Sequence, residues 1–154
     1  MILYRLGPMK WIDVWDGAGS AKSGARWNSM KVPVIYCASN LALAVLEVRV
    51  HSGEIPDGYA MATFELPDAV SIFTPALGAL PADWNKVPPS MTTQQFGDAF
   101  VAAGTHLLMR VPSVVVPEEW NYVMNPAHPD MAKRKLISIH GFTFDERLYE
   151  VKKK

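Results

Sequence analysis

Apolar residues fall in short blocks along the chain, punctuated by proline, glycine and small polar residues, and each block follows a strand or a helix period. Residues 2–6 read as an opening strand stopped by Gly7-Pro8, and residues 17–24, a run of small side chains, read as a mobile loop. Residues 32–38 are apolar and β-branched, giving a strand with Val34, Tyr36 and Ala38 on one face and Ile35 and Cys37 on the other. Ser39 or Asn40 can cap a helix over 41–51, which Ser52-Gly53 ends. Strands are expected over 59–66 and 69–73, followed by a proline-rich surface connection over 74–90. Thr92 or Thr93 can cap a helix over 94–103 that closes at Gly104. A strand over 107–116, broken by Pro112, and a final strand pair over 135–144 around Gly141 complete the chain. Short strands mixed with few helices, without regular alternation and without repeats, define an α+β domain.

Composition narrows the function classes. A chain of 154 residues with 49% hydrophobic content is one domain, 1–154, able to bury a sizeable core. Fifteen basic and fifteen acidic residues cancel, so the positive field that drives direct nucleic-acid binding is missing. The basic end, about residues 149–154, reads as a solvated tail. A lone cysteine, Cys37, and no zinc-like spacing point to no metal and to a reducing, cytoplasmic setting. Apolar runs are too short to span a membrane, and Arg5 and Pro8 interrupt any signal-peptide core. Phosphate-binding glycine motifs of the usual kinds are absent.

Several side chains carry potential chemistry. Glu47 shares a helix face with Leu43, Ala44 and Val50, where an acid needs a partner. It either reaches His51 one turn on or lines a cleft, where its carboxylate can steady a developing cation. Arg26, in a glycine-flanked turn with Trp27 and Asn28, is a surface arginine on Trp27 or a fork for phosphate or carboxylate. Tyr36 is either a core tyrosine or a stacking platform. Ser113 lacks the neighbours that activate a nucleophile and reads as a hydrogen-bonding group. Asn125 and His128 lie in a stiff turn that they can hold together themselves.

In order along the chain, Tyr4-Arg5, Gly24-Ala25-Arg26-Trp27-Asn28-Ser29, Val34-Ile35-Tyr36, the helix from Leu41 to Glu47, Val111-Pro112-Ser113, Trp120-Asn121-Tyr122, Asn125-Pro126-Ala127-His128-Pro129 and Phe144-Asp145-Glu146-Arg147-Leu148 resemble the RES-domain family. These are toxins paired with Xre-type helix-turn-helix antitoxins. Ala25 stands where the family more often has Gly, and Met30-Lys31 where it has Pro-Gly. The resemblance implies an ADP-ribosyltransferase-like fold, with two small mixed sheets around an NAD cleft and flanking helices. It implies an NAD-consuming enzyme that cleaves the nicotinamide–ribose bond and inhibits bacterial growth, a phosphorylase or glycohydrolase according to whether phosphate or water is the acceptor. An antitoxin blocking the cleft, and a monomer or homodimer as the active form, go with it. It places catalytic roles on Arg26, Tyr36, Glu47 and Ser113, and NAD contacts on Arg5, Arg26, Asn28, Tyr36, Ser113 and Asn125. Arg26, with Arg5, would hold the pyrophosphate, Tyr36 would stack on nicotinamide, Glu47 would stabilise the oxocarbenium-like ribose, and Ser113 would donate to the carboxamide or to phosphate. Two other readings stand beside it: transfer of ADP-ribose to a cellular protein, and a nucleotide- or partner-binding module without turnover.

Overall fold

The structure, a computed structural model, describes residues 1–149. Its regular elements are β1 (Ile2–Pro8), α1 (Ala18–Ser23), β2 (Ile35–Ala38), α2 (Leu41–His51), β3 (Tyr59–Glu65), β4 (Ile72–Phe73), α3 (Met91–Ala103), β5 (Leu108–Pro112), β6 (Trp120–Met124) and β7 (Lys135–Phe142). The seven strands form one mixed sheet in the order β4-β5-β6-β2-β1-β3-β7, parallel only between β4 and β5. The α+β class is the expected one. The two small sheets are instead hydrogen-bonded into a single sheet through a narrow seam, where β1 and β2 share one register pair, Tyr4 opposite Ala38.

Alternation along the strands sorts the core into two layers. One face carries Leu3, Ile35, Cys37, Phe64, Leu108 and Met124, covered by Leu66, Val70 and Trp15 from the connections. The other face carries both long helices. Leu43 and Ala44 of α2 pack on Ala38 and Met61, while Phe100 of α3 packs with Trp27, Val34, Met109, Val111 and Val123. Each large side chain so enclosed contributes about 1.5–3 kcal/mol relative to exposure. Helices α2 and α3 thus pack on the same face of the sheet, α2 over β2 and β3 and α3 over β5 and β6.

Local physics accounts for the differences from the expected elements. Residues 17–24 contain α1, whose Ser20 hydroxyl accepts from the Val34 amide (3.1 Å), so residue 34 is bonded to a helix and β2 starts one residue later. Gly17 adopts φ +72°, and a Cβ there would lie 2.7 Å from the Val34 nitrogen, so the turn needs glycine. The strand expected over 69–73 is only Ile72–Phe73, and Pro112 terminates β5 rather than interrupting it. Helix α3 starts at Met91 because Ser90, not Thr92 or Thr93, accepts from the Thr93 amide, and it ends at Gly104 with φ +60° as expected. The final pair is one strand, β7, whose register shifts between Thr63 and Phe64 of β3. Residues 74–90 are not all surface, since Leu80 is buried in the core beneath α3. Tyr149, at the expected start of the basic tail, packs with its ring 4.2 Å from the Arg49 guanidinium; residues 150–154 lie outside the described residues.

Candidate functional site

Helix α2 is set by its first turn. The Asn40 side-chain oxygen accepts from the Leu43 amide (2.8 Å), while its Nδ2 donates to Glu119 (2.9 Å) just ahead of β6. The cap therefore fixes both the start of the helix and its attachment to the sheet. We expect Asn40→Ala to cost about 1 kcal/mol or somewhat more, read as a lower urea midpoint at unchanged slope.

Two turns along, Glu47 emerges between the helix and the ends of β5 and β6. Ser113 donates to its Oε1 at 2.7 Å, and Asn121 Nδ2 donates to the same oxygen. No hydrogen bond among the described residues engages Oε2. Ser113 is fully buried, and its hydroxyl accepts from the amides of Val115 and Val116, each at 3.0 Å. A hydroxyl with both acceptor positions filled has one hydrogen left to give, and here it goes to Glu47. Ser113 thus has none to offer a carboxamide or a phosphate. His51 does not partner the Glu47 side chain; its Nδ1 sits 2.8 Å from the Glu47 backbone oxygen.

Arg26 and Tyr36 complete the cluster. The Tyr36 hydroxyl donates to Asn28 Oδ1 (2.8 Å) and accepts from the Trp27 amide (3.0 Å). Burial, only partly offset by that amide and by Arg26, raises its pKa well above the ordinary tyrosine value, so it remains a neutral hydroxyl and cannot serve as a base. Asn28 is fully buried; besides accepting from Tyr36, its Nδ2 lies within reach of the carbonyls of Ser20, Ser29 and Val32. It shapes the turn that presents Arg26 and has no polar group left for a ligand. Arg26 Nη1 donates to the carbonyls of Trp84 and Lys86, both at 2.7 Å, which uses its two hydrogens and holds the proline-rich connection as a wall. The Nε and Nη2 edge makes no hydrogen bond among the described residues and keeps the planar fork that suits an anion. Burial lowers the Arg26 pKa, opposed chiefly by the field of Glu47.

Helix α3 holds the Arg26 turn from the other side. Gln94 Nε2 donates to the Ala25 carbonyl (3.1 Å), the Ser29 amide donates to Asp98 (2.9 Å), and between them Gly97 lets the two backbones touch. A Cβ on Gly97 would lie 1.9 Å from the Trp27 carbonyl oxygen.

Two expected pocket residues stand apart from this cluster. Arg5 neighbours Cys37 rather than Tyr36 and projects from the opposite face of the sheet. There it donates to the carbonyls of Ile12 (3.0 Å) and Val14 (2.7 Å) and lies 5.0 Å from the Trp15 ring. Removing these bonds in Arg5→Ala should lower the melting temperature by several degrees, which thermal melting beside the wild type would detect. Asn125 lies four residues beyond Asn121, about 13 Å along the strand direction, and accepts from the Ala127 amide (3.0 Å) as a turn residue. His128 is likewise structural, accepting from the Asp130 amide at 3.1 Å.

The cluster accordingly contains Arg26, Tyr36, Glu47 and Ser113, with Asn28 behind them. The residue missed as a candidate is Asn121, whose signal was available: in a strand 120–124 it falls on the face of Val123, an amide among apolar neighbours close to an unexplained acid. A separate groove of about 290 Å³ beside α3 is lined by Phe73, Phe96, Phe100 and His106 and carries none of the cluster's residues. Among the described residues, no group of three or more His, Cys, Asp or Glu is placed to hold a metal ion, and no helix is long and apolar enough to cross a membrane.

Residues 2–145 match the RES domain, and the chain belongs to that family. It is 38% identical over 142 residues to the Prs ADP-ribosylating toxin of a Sphingobium species, covering 88% of this chain and 87% of that one. It is 35% identical to Toxin Res of Photorhabdus laumondii, over 99% of this chain and the whole of the other, and 35% identical to Toxin Res of Pseudomonas putida, over 97% of this chain and again the whole of the other. The fold superposes with a TM-score of 0.73 on a chain from the crystal structure of the Mycobacterium tuberculosis MbcT-MbcA toxin–antitoxin complex, at 20% identity, covering 96% of this chain and 86% of that one.

Proposed function

We propose that this protein is the toxin of a toxin–antitoxin pair and that it consumes NAD inside the cell, inhibiting growth. The bond between nicotinamide and ribose breaks, its electron pair leaving with nicotinamide, and an oxygen of phosphate or water bonds to the ribose carbon and releases its proton. The observation that carries this reading is Glu47: a carboxylate with one oxygen held by two side-chain donors and the other free, its field reaching an arginine with an open fork. Bonded to a ribose hydroxyl through Oε2, Glu47 stabilises the positive charge that develops on the sugar more than it stabilises the ground state. The open edge of Arg26 takes the pyrophosphate, the exposed part of the Tyr36 ring offers nicotinamide a stacking surface, and Ser113 anchors Glu47. Fixed positions for all of these remove the cost of arranging them at the moment of reaction.

The names of the relatives support toxin activity, and the fold neighbour solved as a toxin–antitoxin complex supports an antitoxin, for which we retain a Xre-like helix-turn-helix protein that covers the cleft. The name of the Sphingobium relative favours a second reading of the same site, in which a cellular protein accepts ADP-ribose. The test is to supply NAD to antitoxin-free protein with and without inorganic phosphate and to identify the ADP-ribose product. Phosphate-dependent consumption giving ADP-ribose 1-phosphate is expected for a phosphorylase, and free ADP-ribose for a glycohydrolase. Consumption of NAD only when cell lysate is added, with label transferred to a protein, would overturn the small-molecule acceptors in favour of the second reading.

A further inference from the structure

Resting on the NAD-cleaving reading, we propose that Asn121 is a positioning residue for Glu47 and that, with Ser113, it holds one carboxylate oxygen so that the other faces the substrate. Asn121 lies in the middle of the sheet, opposite Ala38 of β2 and Val111 of β5. Ladders on both sides fix its Cα, so its amide approaches Glu47 from a rigid base. The direction of the bond follows from the company it keeps. Ser113 donates to Oε1 because both of its acceptor positions are filled by amides. An oxygen that receives one such hydrogen is an acceptor, so the Asn121 group facing it is the NH₂ end. Two donors from two separate segments, the loop after β5 and strand β6, converge on one oxygen and fix the position of the carboxylate. Either donor alone would let the carboxylate plane swing about the last side-chain bond; the two together hold that plane. Ser113 sets the depth of Glu47 against the loop after β5, and Asn121 sets its rotation.

The test is a cycle built from Asn121→Asp and Glu47→Gln, with Asn121→Ala as the neutral control, read by nicotinamide release from NAD and by thermal melting. Asn121→Asp keeps the shape of the side chain but replaces its donor with a second carboxylate aimed at Oε1. We expect kcat to fall about 100-fold with KM within about twofold, as misplacement of a reacting group produces. Asn121→Ala, which loses only the hydrogen bond, should fall roughly tenfold. Melting reads the contact without any substrate: Asn121→Asp should lower the melting temperature, and by about 4 °C less when Glu47→Gln has already removed the opposing charge. Melting shifts that simply add would overturn the contact, and a wild-type kcat in Asn121→Asp would overturn the positioning role. A wild-type protein that leaves NAD intact would instead overturn the NAD reading, and the role in catalysis with it, even where the melting cycle shows the two side chains coupled.

Discussion

Glu47→Gln should lower kcat for nicotinamide release by about 10²–10³-fold, equivalent to roughly 3–4 kcal/mol of transition-state stabilisation, and leave KM for NAD within about threefold. The substitution keeps length and volume, and its amide oxygen can still accept from Ser113 and Asn121. What it removes is the negative charge. On the proposed reading, NAD in the ground state presents that position with a neutral ribose hydroxyl, from which an amide oxygen can accept almost as well. As the bond to nicotinamide breaks, the ribose becomes cationic, and only the carboxylate responds to the new charge. The loss therefore appears in kcat. Steady-state rates over a range of NAD concentrations measure it; a variant with wild-type kcat, or one whose defect lies wholly in KM, would contradict this role for Glu47.

Gly97→Ala should destabilise the protein by about 3 kcal/mol, a fall of roughly 6–12 °C in melting temperature. Helix propensity alone argues for the opposite sign, since alanine is favoured over glycine by about 1 kcal/mol in a helix interior. Packing reverses it, because the new methyl would lie 1.9 Å from the Trp27 carbonyl oxygen and 2.7 Å from its carbon. The obstacle is backbone, so no side-chain rotation relieves the contact. Helix and turn must separate, loosening the bonds from Gln94 to Ala25 and from Ser29 to Asp98 and unseating Phe100 from the core. Since the displaced turn carries Arg26, the protein that still folds should also bind NAD more weakly. A melting temperature equal to or above wild type would show that the two backbones are not held in contact.

Much of this was legible in the chain itself, and the parts that were not share a cause. Helix α2, its cap and its end are local features, set by side-chain hydrogen bonding and periodicity; they appear where the pattern places them, with Asn40 rather than Ser39 as the cap. Glu47 stood out for a sound reason, an acid on an apolar helix face. Its partners come from 66 and 74 residues away in the sequence, so no local spacing could name them. Arg5 shows the same limit from the other side. Whether it shares a face with Tyr36 depends on the register between β1 and β2, and a slip of one residue exchanges the faces. The single pair Tyr4–Ala38 decides it, placing Tyr4 toward α2 and Arg5 toward the loop at 11–14. The joining of two expected sheets into one rests on that same seam. Helix α1 escaped notice because small residues carry little periodic signal, and what fixes it is the long-range bond from Val34 to Ser20.

We propose that the fixed Glu47 carboxylate promotes cleavage of the nicotinamide–ribose bond. The most direct measurement is the free nicotinamide released from NAD by the purified, antitoxin-free protein, quantified against the NAD lost, with Glu47→Gln run alongside. The wild type should release one nicotinamide for each NAD consumed, and the variant almost none over the same interval. A folded wild-type protein that binds NAD and releases no nicotinamide, with phosphate and with lysate present, would contradict it and leave a binding protein in its place.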